Sequence, residues 1–268
     1  MEKRLKIGIV CYPTFGGSGV VATELGKALA EKGHEIHFIT YSQPVRLGSL
    51  RKNVRYHEVN VSDYPLFLYP PYELVLASKM VDVAKHEGLD LLHVHYAIPH
   101  ASAAYMAKQI LKKEGLNLPV ITTLHGTDIT LLGRDASFEP VISFAINESD
   151  AVTAVSQSLR TDTYKLFGIN IDIEVIPNFL NPTPINEDIV SEIREEYAPN
   201  GTPMLIHISN FRPVKRVMDV MEIYKRVNEL KPSILVMVGD GPDRSKAEQF
   251  ARDHQLNDVV FVGNVKNP

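Results

Sequence analysis

Strand-length apolar runs recur at 6–11, 35–40, 54–59, 91–94, 120–124, 151–155 and 173–176, continuous rather than alternating with polar residues. Runs of that kind suit strands covered on both faces. Helical patterns separate most of them: Val21, Leu25, Ala28 and Leu29 make one apolar face, and 72–86 makes a longer one. Strands that alternate with helices join as a parallel, doubly wound α/β sheet. The pattern breaks over 179–202, where Asn-Pro-Thr-Pro precedes a charged helical stretch at 187–197. It then restarts with strand 204–209, helix 217–230, strand 234–238, helix 243–254 and strand 259–262. The expected organisation is one domain over 1–180, a linker or hinge over 181–202 and the first part of a second domain over 203–268. Three strands and two helices are about half of a nucleotide-binding domain built of two βαβαβ halves, so a truncated second domain is expected.

Composition narrows the function classes. An apolar content of 44% is ample for buried cores, and no eighteen apolar residues run together, so no membrane span is expected. With 28 basic and 32 acidic residues the net charge is −4, which leaves no polybasic tail for nucleic acid or an anionic membrane. The lone cysteine, Cys11, is expected to be buried at the first strand, forms no intramolecular disulfide and suits a reducing compartment. The N-terminus runs into Pro13 and a glycine loop rather than a cleavage site, so the expected location is the cytoplasm. Assembly into a homo-oligomer stays open.

Gly16-Gly17-Ser18-Gly19 follows the first strand and opens the first helix, and 17–22 fits the dinucleotide pattern G-x-G-x-x-A. That pattern calls for a carboxylate at the end of the second strand, where this chain has Thr40-Tyr41-Ser42. NAD is disfavoured, and an anionic substrate group at the helix start is preferred. The plain alternative is a tight turn with Ser18 as an N-cap. His93-Val94-His95-Tyr96 ends the fourth strand, with His100 beyond, and His125-Gly126-Thr127-Asp128 ends the fifth. His93 and His95 share a strand face and could chelate a metal, but no second such pair accompanies them, and core histidines are commoner. Because carboxyl ends of parallel strands face the ligand crevice, Tyr96 and His125 are candidate substrate contacts. Asp128 reads equally well as a helix cap.

Between 204 and 216 an apolar strand runs into Ser209-Asn210-Phe211-Arg212-Pro213-Val214-Lys215-Arg216, a cationic turn at a helix start. Unpaired N–H groups, the helix dipole and side-chain charge there favour phosphate. Arg212 and Lys215 are the strongest candidates, against the alternative of solvated surface charge. Asn178 closes the last strand of the first domain. Gly239-Asp240-Gly241 ends a strand of the second, where a sugar or base could rest on the backbone, or where the chain simply turns.

Together the segments at 15–19, 93–101, 123–128 and 209–216 resemble the retaining glycosyltransferases of family 4 along the whole chain. The resemblance implies a GT-B fold, two facing Rossmann-like doubly wound domains with parallel sheets, the second incomplete here. Those segments are most similar to the members that move N-acetylglucosamine from UDP-N-acetylglucosamine to the hydroxyl of L-malate in the first step of bacillithiol biosynthesis. It implies acceptor binding by the first domain, through Ser18, Tyr96, Thr123 and, by its loop position, Arg46. It implies nucleotide-sugar binding with Gly16, Gly17, Asn178, Asn210, Gly239 and Gly241, and catalysis at His125, Lys215 and Arg212, with no metal. The departing phosphate oxygen would take the acceptor's proton, so no general base is expected. Three departures stand out: Asn210 sits where the family commonly has arginine, Arg216 sits where glycine is usual, and the second domain's E-x7-E glutamate pair of the family has no counterpart after the cationic turn. Activity of the chain on its own is therefore not expected. The rivals are another acceptor within the family, a nucleotide-dependent oxidoreductase and a binding module without catalysis.

Overall fold

The computed structural model describes residues 3–14, 17–48, 52–61, 69–131, 133, 135–179, 181 and 185–265. The backbone separates into two compact units, 1–181 and 182–268. The first carries seven strands: β1 (Lys6–Val10), β2 (Glu35–Thr40), β3 (Val54–Glu58), β4 (Leu91–His95), β5 (Val120–Leu124), β6 (Ala151–Ala154) and β7 (Ile173–Val175). Its helices are α1 (Gly17–Glu31), α2 (Tyr72–Glu87), α3 (Ser102–Lys113), α4 (Glu139–Asn147) and α5 (Gln157–Leu166). Every strand pairing is parallel, in the order β3-β2-β1-β4-β5-β6-β7. The order reverses between β1 and β4, and at such a switch point the loops diverge and leave a crevice.

Apolar side chains on both sheet faces build three clusters in this unit. On one face Val10, Ile39 and Leu92 pack with Leu76 and Met80 of α2; on the other Ile9, Ile36 and Phe38 pack with Ala22 of α1. Each of the larger side chains among these contributes roughly 1.5–3 kcal/mol by leaving water. Carboxylates close several strand starts: Asp90 accepts from the Lys6 N–H at 2.8 Å, and Asp150 from the Val120 N–H at 2.7 Å.

The second unit holds α6 (Glu187–Tyr197), β8 (Met204–Ile208), α7 (Val217–Leu230), β9 (Ile234–Val238), α8 (Arg244–Asp253) and β10 (Val259–Gly263). Its parallel sheet runs β10-β9-β8 around a core with Phe211, Met221, Tyr224, Leu235 and Met237.

Two expectations change. Burial on both faces holds for the central strands, but β3 and β8 expose residues along their length. They are the outer strands of their sheets, and Ile206 and Ile208 are more than half exposed. Cys11 lies just past β1 rather than in it; it is fully buried, and burial pushes its thiol up to about 12.

Candidate functional site

The crevice of the first unit opens where β1 and β4 lie side by side. Past β1 the chain turns into α1, and Gly19 sits so close to the preceding loop that a Cβ there would lie 2.2 Å from the Tyr12 carbonyl oxygen. Gly19 is thus a packing glycine. Gly17, at φ 47°, meets nothing within 4 Å and leaves its backbone open to a ligand at the helix start. Gly16 lies outside the described residues. Ser18 is inside α1 rather than capping it, and its hydroxyl donates to the Tyr96 phenol oxygen at 2.8 Å. That bond crosses the switch point. Tyr96 has φ 91°, ψ 139°, an uncommon conformation for a bulky residue, held by its N–H donating to the Thr123 carbonyl at 3.0 Å. Tyr12 packs edge-on against it at 5.5 Å between centroids, and burial raises the Tyr12 phenol to about 12, so it is a neutral hydrogen-bonding group.

Below these phenols runs a ladder of histidines. His93 and His95 stack at 4.8 Å, and His95 stacks on His125 at 5.0 Å, with Tyr96 5.4 Å from His125. His93 Nε2 and Thr123 Oγ1 are 2.7 Å apart, Thr123 Oγ1 and Thr153 Oγ1 2.7 Å, and His95 Nδ1 and His125 Nε2 2.8 Å. His100 Nδ1 bonds the His95 carbonyl oxygen. Burial holds His93, His100 and His125 down to about 4, and His95 well below the usual range with help from its neighbours. The ladder is therefore uncharged at neutral pH. His95 Nε2 is buried without a partner. A bare acceptor nitrogen costs less there than an orphaned N–H, which puts the His95 proton on Nδ1, donating to His125 Nε2. His125 then carries its own proton on Nδ1, as a hydrogen-bond donor.

Asp128 ties the ladder's two loops together. It is fully buried, and its carboxylate accepts from the Ala97 N–H after β4 and the Gly126 N–H after β5, each at 3.1 Å. Burial pushes its carboxyl up to about 6 against the pull of those N–H groups. The helix-cap reading of Asp128 misses this role, because its main partner lies 31 residues away.

In the second unit the cationic turn folds tightly over its neighbour. The Ser209 hydroxyl bonds His207 Nε2 at 2.8 Å and accepts from the Phe211 N–H at 3.2 Å. Phe211 is fully buried at φ 40°. Gly239 and Gly241, at φ 122° and 157°, lie directly against it: Cβ atoms there would come within 1.8 Å of the Ser209 oxygen and 2.1 Å of the Asn210 oxygen. Asn210, Arg212 and Lys215 are exposed on this turn. Lys215 is close enough that, after burial, its charge is what holds His207 below its usual value. Arg216 takes the left-handed conformation, φ 50° and ψ 43°, which explains why glycine suits that position, and it ion-pairs with Asp219.

The first unit thus brings Ser18, Tyr96, Thr123 and His125 together at three adjacent strand ends. Thr123 is a buried strut between His93 and Thr153 rather than a free hydroxyl. Asn178 is exposed after the outer strand β7, with β5 and β6 between it and the β1–β4 seam. Arg46 is exposed at φ 65° in the loop after β2. Among the described residues, His93 and His95 gather no third metal-ligating side chain, and Thr40 at the end of β2 is bonded to the Ser42 carbonyl at 2.6 Å, with no carboxylate for a ribose.

Residues 15–183 match the model of Glycosyltransferase Family 4, and 189–268 match that of Glycosyl transferases group 1. The chain is 49% identical over 266 residues to N-acetyl-alpha-D-glucosaminyl L-malate synthase of Bacillus anthracis, covering 98% of this chain and 69% of that protein. It is 25% identical to the putative teichuronic acid biosynthesis glycosyltransferase TuaC of Bacillus subtilis, over 71% of this chain and half of the relative. Among solved structures, Anabaena HepE in complex with UDP-glucose superposes with a TM-score of 0.74 at 18% identity, over 98% of this chain and 70% of that one. A Rickettsia africae glycosyltransferase gives 0.71 at 20%, over 98% and 69%. No helix among the described residues is long and apolar enough to cross a membrane. With its parallel α/β units, its strand-end site, the family model over 15–183 and 49% identity over 98% of its length to one of these enzymes, the chain belongs to glycosyltransferase family 4 and has the GT-B class of fold, its second sheet partial.

Proposed function

We propose that this protein transfers N-acetylglucosamine from UDP-N-acetylglucosamine to the hydroxyl of L-malate, with retention at the anomeric carbon, as the first step of bacillithiol biosynthesis. The 49% identity to the Bacillus anthracis synthase carries this reading. The bond from the anomeric carbon to the UDP phosphate oxygen breaks, the malate oxygen bonds to that carbon on the same face, and the malate proton passes to the departing phosphate oxygen. Lys215 and Arg212 offset the developing diphosphate charge without a metal, and the Gly17 helix start takes an anionic substrate group. Asn178, Asn210 and the Gly239–Gly241 backbone hold the donor. Ser18 and Tyr96 hold one malate carboxylate, with Arg46 for the other, and the His125 Nδ1–H donates to the sugar.

The test joins this chain to the part of the Bacillus anthracis relative that it does not span, and measures UDP release. Release should require L-malate, and Lys215→Ala should lower the rate at least about 100-fold. Equal release with an inositol phosphate would point to another acceptor. A thermal shift larger with NAD(H) than with UDP would favour an oxidoreductase.

A further inference from the structure

Away from the strand-end ladder, β2, β3 and the last turn of α2 gather a second group of donor atoms. Register sets His37 opposite Arg55 and Ile39 opposite His57, so both histidines project from the sheet face on which Ile39 packs with Leu76 and Met80 of α2. Glu87, the last residue of α2, completes the group: one donor atom from each of His37, His57 and Glu87 lies within 4.8 Å of the others.

The chemistry around them fits a cation. His37 is fully buried, and its Nδ1 lies 2.9 Å from His57 Nε2. The other ring nitrogen of His37 has no hydrogen-bond partner and lies 3.4 Å from Glu35 Oε1. A metal-bound imidazole typically directs its second N–H at a carboxylate, and Glu35 lies within reach of that role. Arg55 holds the acidic partners in place, 2.5 Å from Glu87 Oε2 and 3.4 Å from Glu35 Oε1. A carboxylate has a second oxygen to offer a cation. Burial keeps His37 and His57 below their usual range, hence neutral at pH 7, the form that ligates.

We propose that His37, His57 and Glu87 form a binding site for a borderline first-row divalent cation of the zinc class, which staples the β2–β3 edge to the end of α2. Two imidazoles and one carboxylate are a donor set that zinc accepts, with water completing the shell. Without the cation the two rings pair through one shared N–H. Binding needs only that the His37 proton move from Nδ1 to Nε2, on the side of Glu35, and that the rings turn so both lone pairs meet the metal. The site is on the opposite side of β1 from the β4–β5 ladder, and its occupancy is independent of the transfer proposed above.

The test uses tag-free, EDTA-treated chain titrated with zinc chloride, and with cobalt(II) as a spectroscopic probe, in wild type, His57→Ala and Glu87→Gln. Both substituted side chains are only partly buried, and far-UV circular dichroism checks that each variant folds. Wild type should bind about one equivalent, gain a visible cobalt band and melt higher with zinc. Each variant should bind at least about tenfold more weakly and lose the shift. No binding by folded wild type at micromolar zinc would overturn the proposal. So would unchanged binding in both variants, which would assign the metal to other histidines.

Discussion

Asp128 shows what a single buried carboxylate does at this site. Its two oxygens each serve a backbone N–H, one after β4 and one after β5. In Asp128→Asn one oxygen becomes an NH2 facing an N–H, so a buried donor is left unsatisfied, at a cost of about 1–3 kcal/mol. The urea midpoint at pH 7.5 should fall accordingly; an unchanged midpoint would mean that the carboxylate does not hold these loops. Residue types and strand ends were legible in the sequence, and so was the shared face of His93 and His95. The partners were not, because Asp128 with Ala97, Ser18 with Tyr96 and His95 with His125 meet only once distant strands align. A rule for metal spacing therefore drew attention to His93 and His95, while their actual partners are Thr123 and His125.

At the scale of elements, the turn after β8 and the turn after β9 act as one part, because Gly239 and Gly241 rest on the backbone of 209–211 and the Asp243 N–H donates to the Phe211 oxygen at 3.0 Å. Gly239→Ala should destabilise the second unit by more than about 2 kcal/mol, through a left-handed φ and a backbone clash. Hydrogen exchange of β8 and β9 amides reads this directly, and protection equal to wild type would contradict it. The cationic turn and the parallel α/β alternation were both evident from the apolar runs. The edge positions of β3 and β8 were not, because a short apolar run looks the same at the middle and the margin of a sheet.

Across the whole molecule, the buried histidines make stability depend on pH. His93, His100 and His125 titrate near 4 when folded, whereas an unfolded imidazole titrates near 6.5. Their contribution is complete above pH 6.5 and is lost as pH falls toward 4. Asp128 acts in the opposite sense: its carboxyl, raised to about 6, takes up its proton more readily when folded. These three imidazoles, with His95 shifted in the same direction, outweigh one carboxyl, so near pH 5 unfolding takes up at least about two protons, and stability falls by at least about 2–3 kcal/mol per pH unit. Urea midpoints measured from pH 7.5 to 4.5 should show that decline; a flat profile would mean the ladder is not buried and neutral. The seam between β1 and β4 has one more consequence, for synthesis. Ile7 pairs with Leu91 and Val10 with Val94, so a ribosome must deliver all of β2, β3 and α2 before β1 gains its second neighbour. Until then a nascent chain presents the apolar β1 as an open edge, and wrong pairing there would abolish the crevice before it exists.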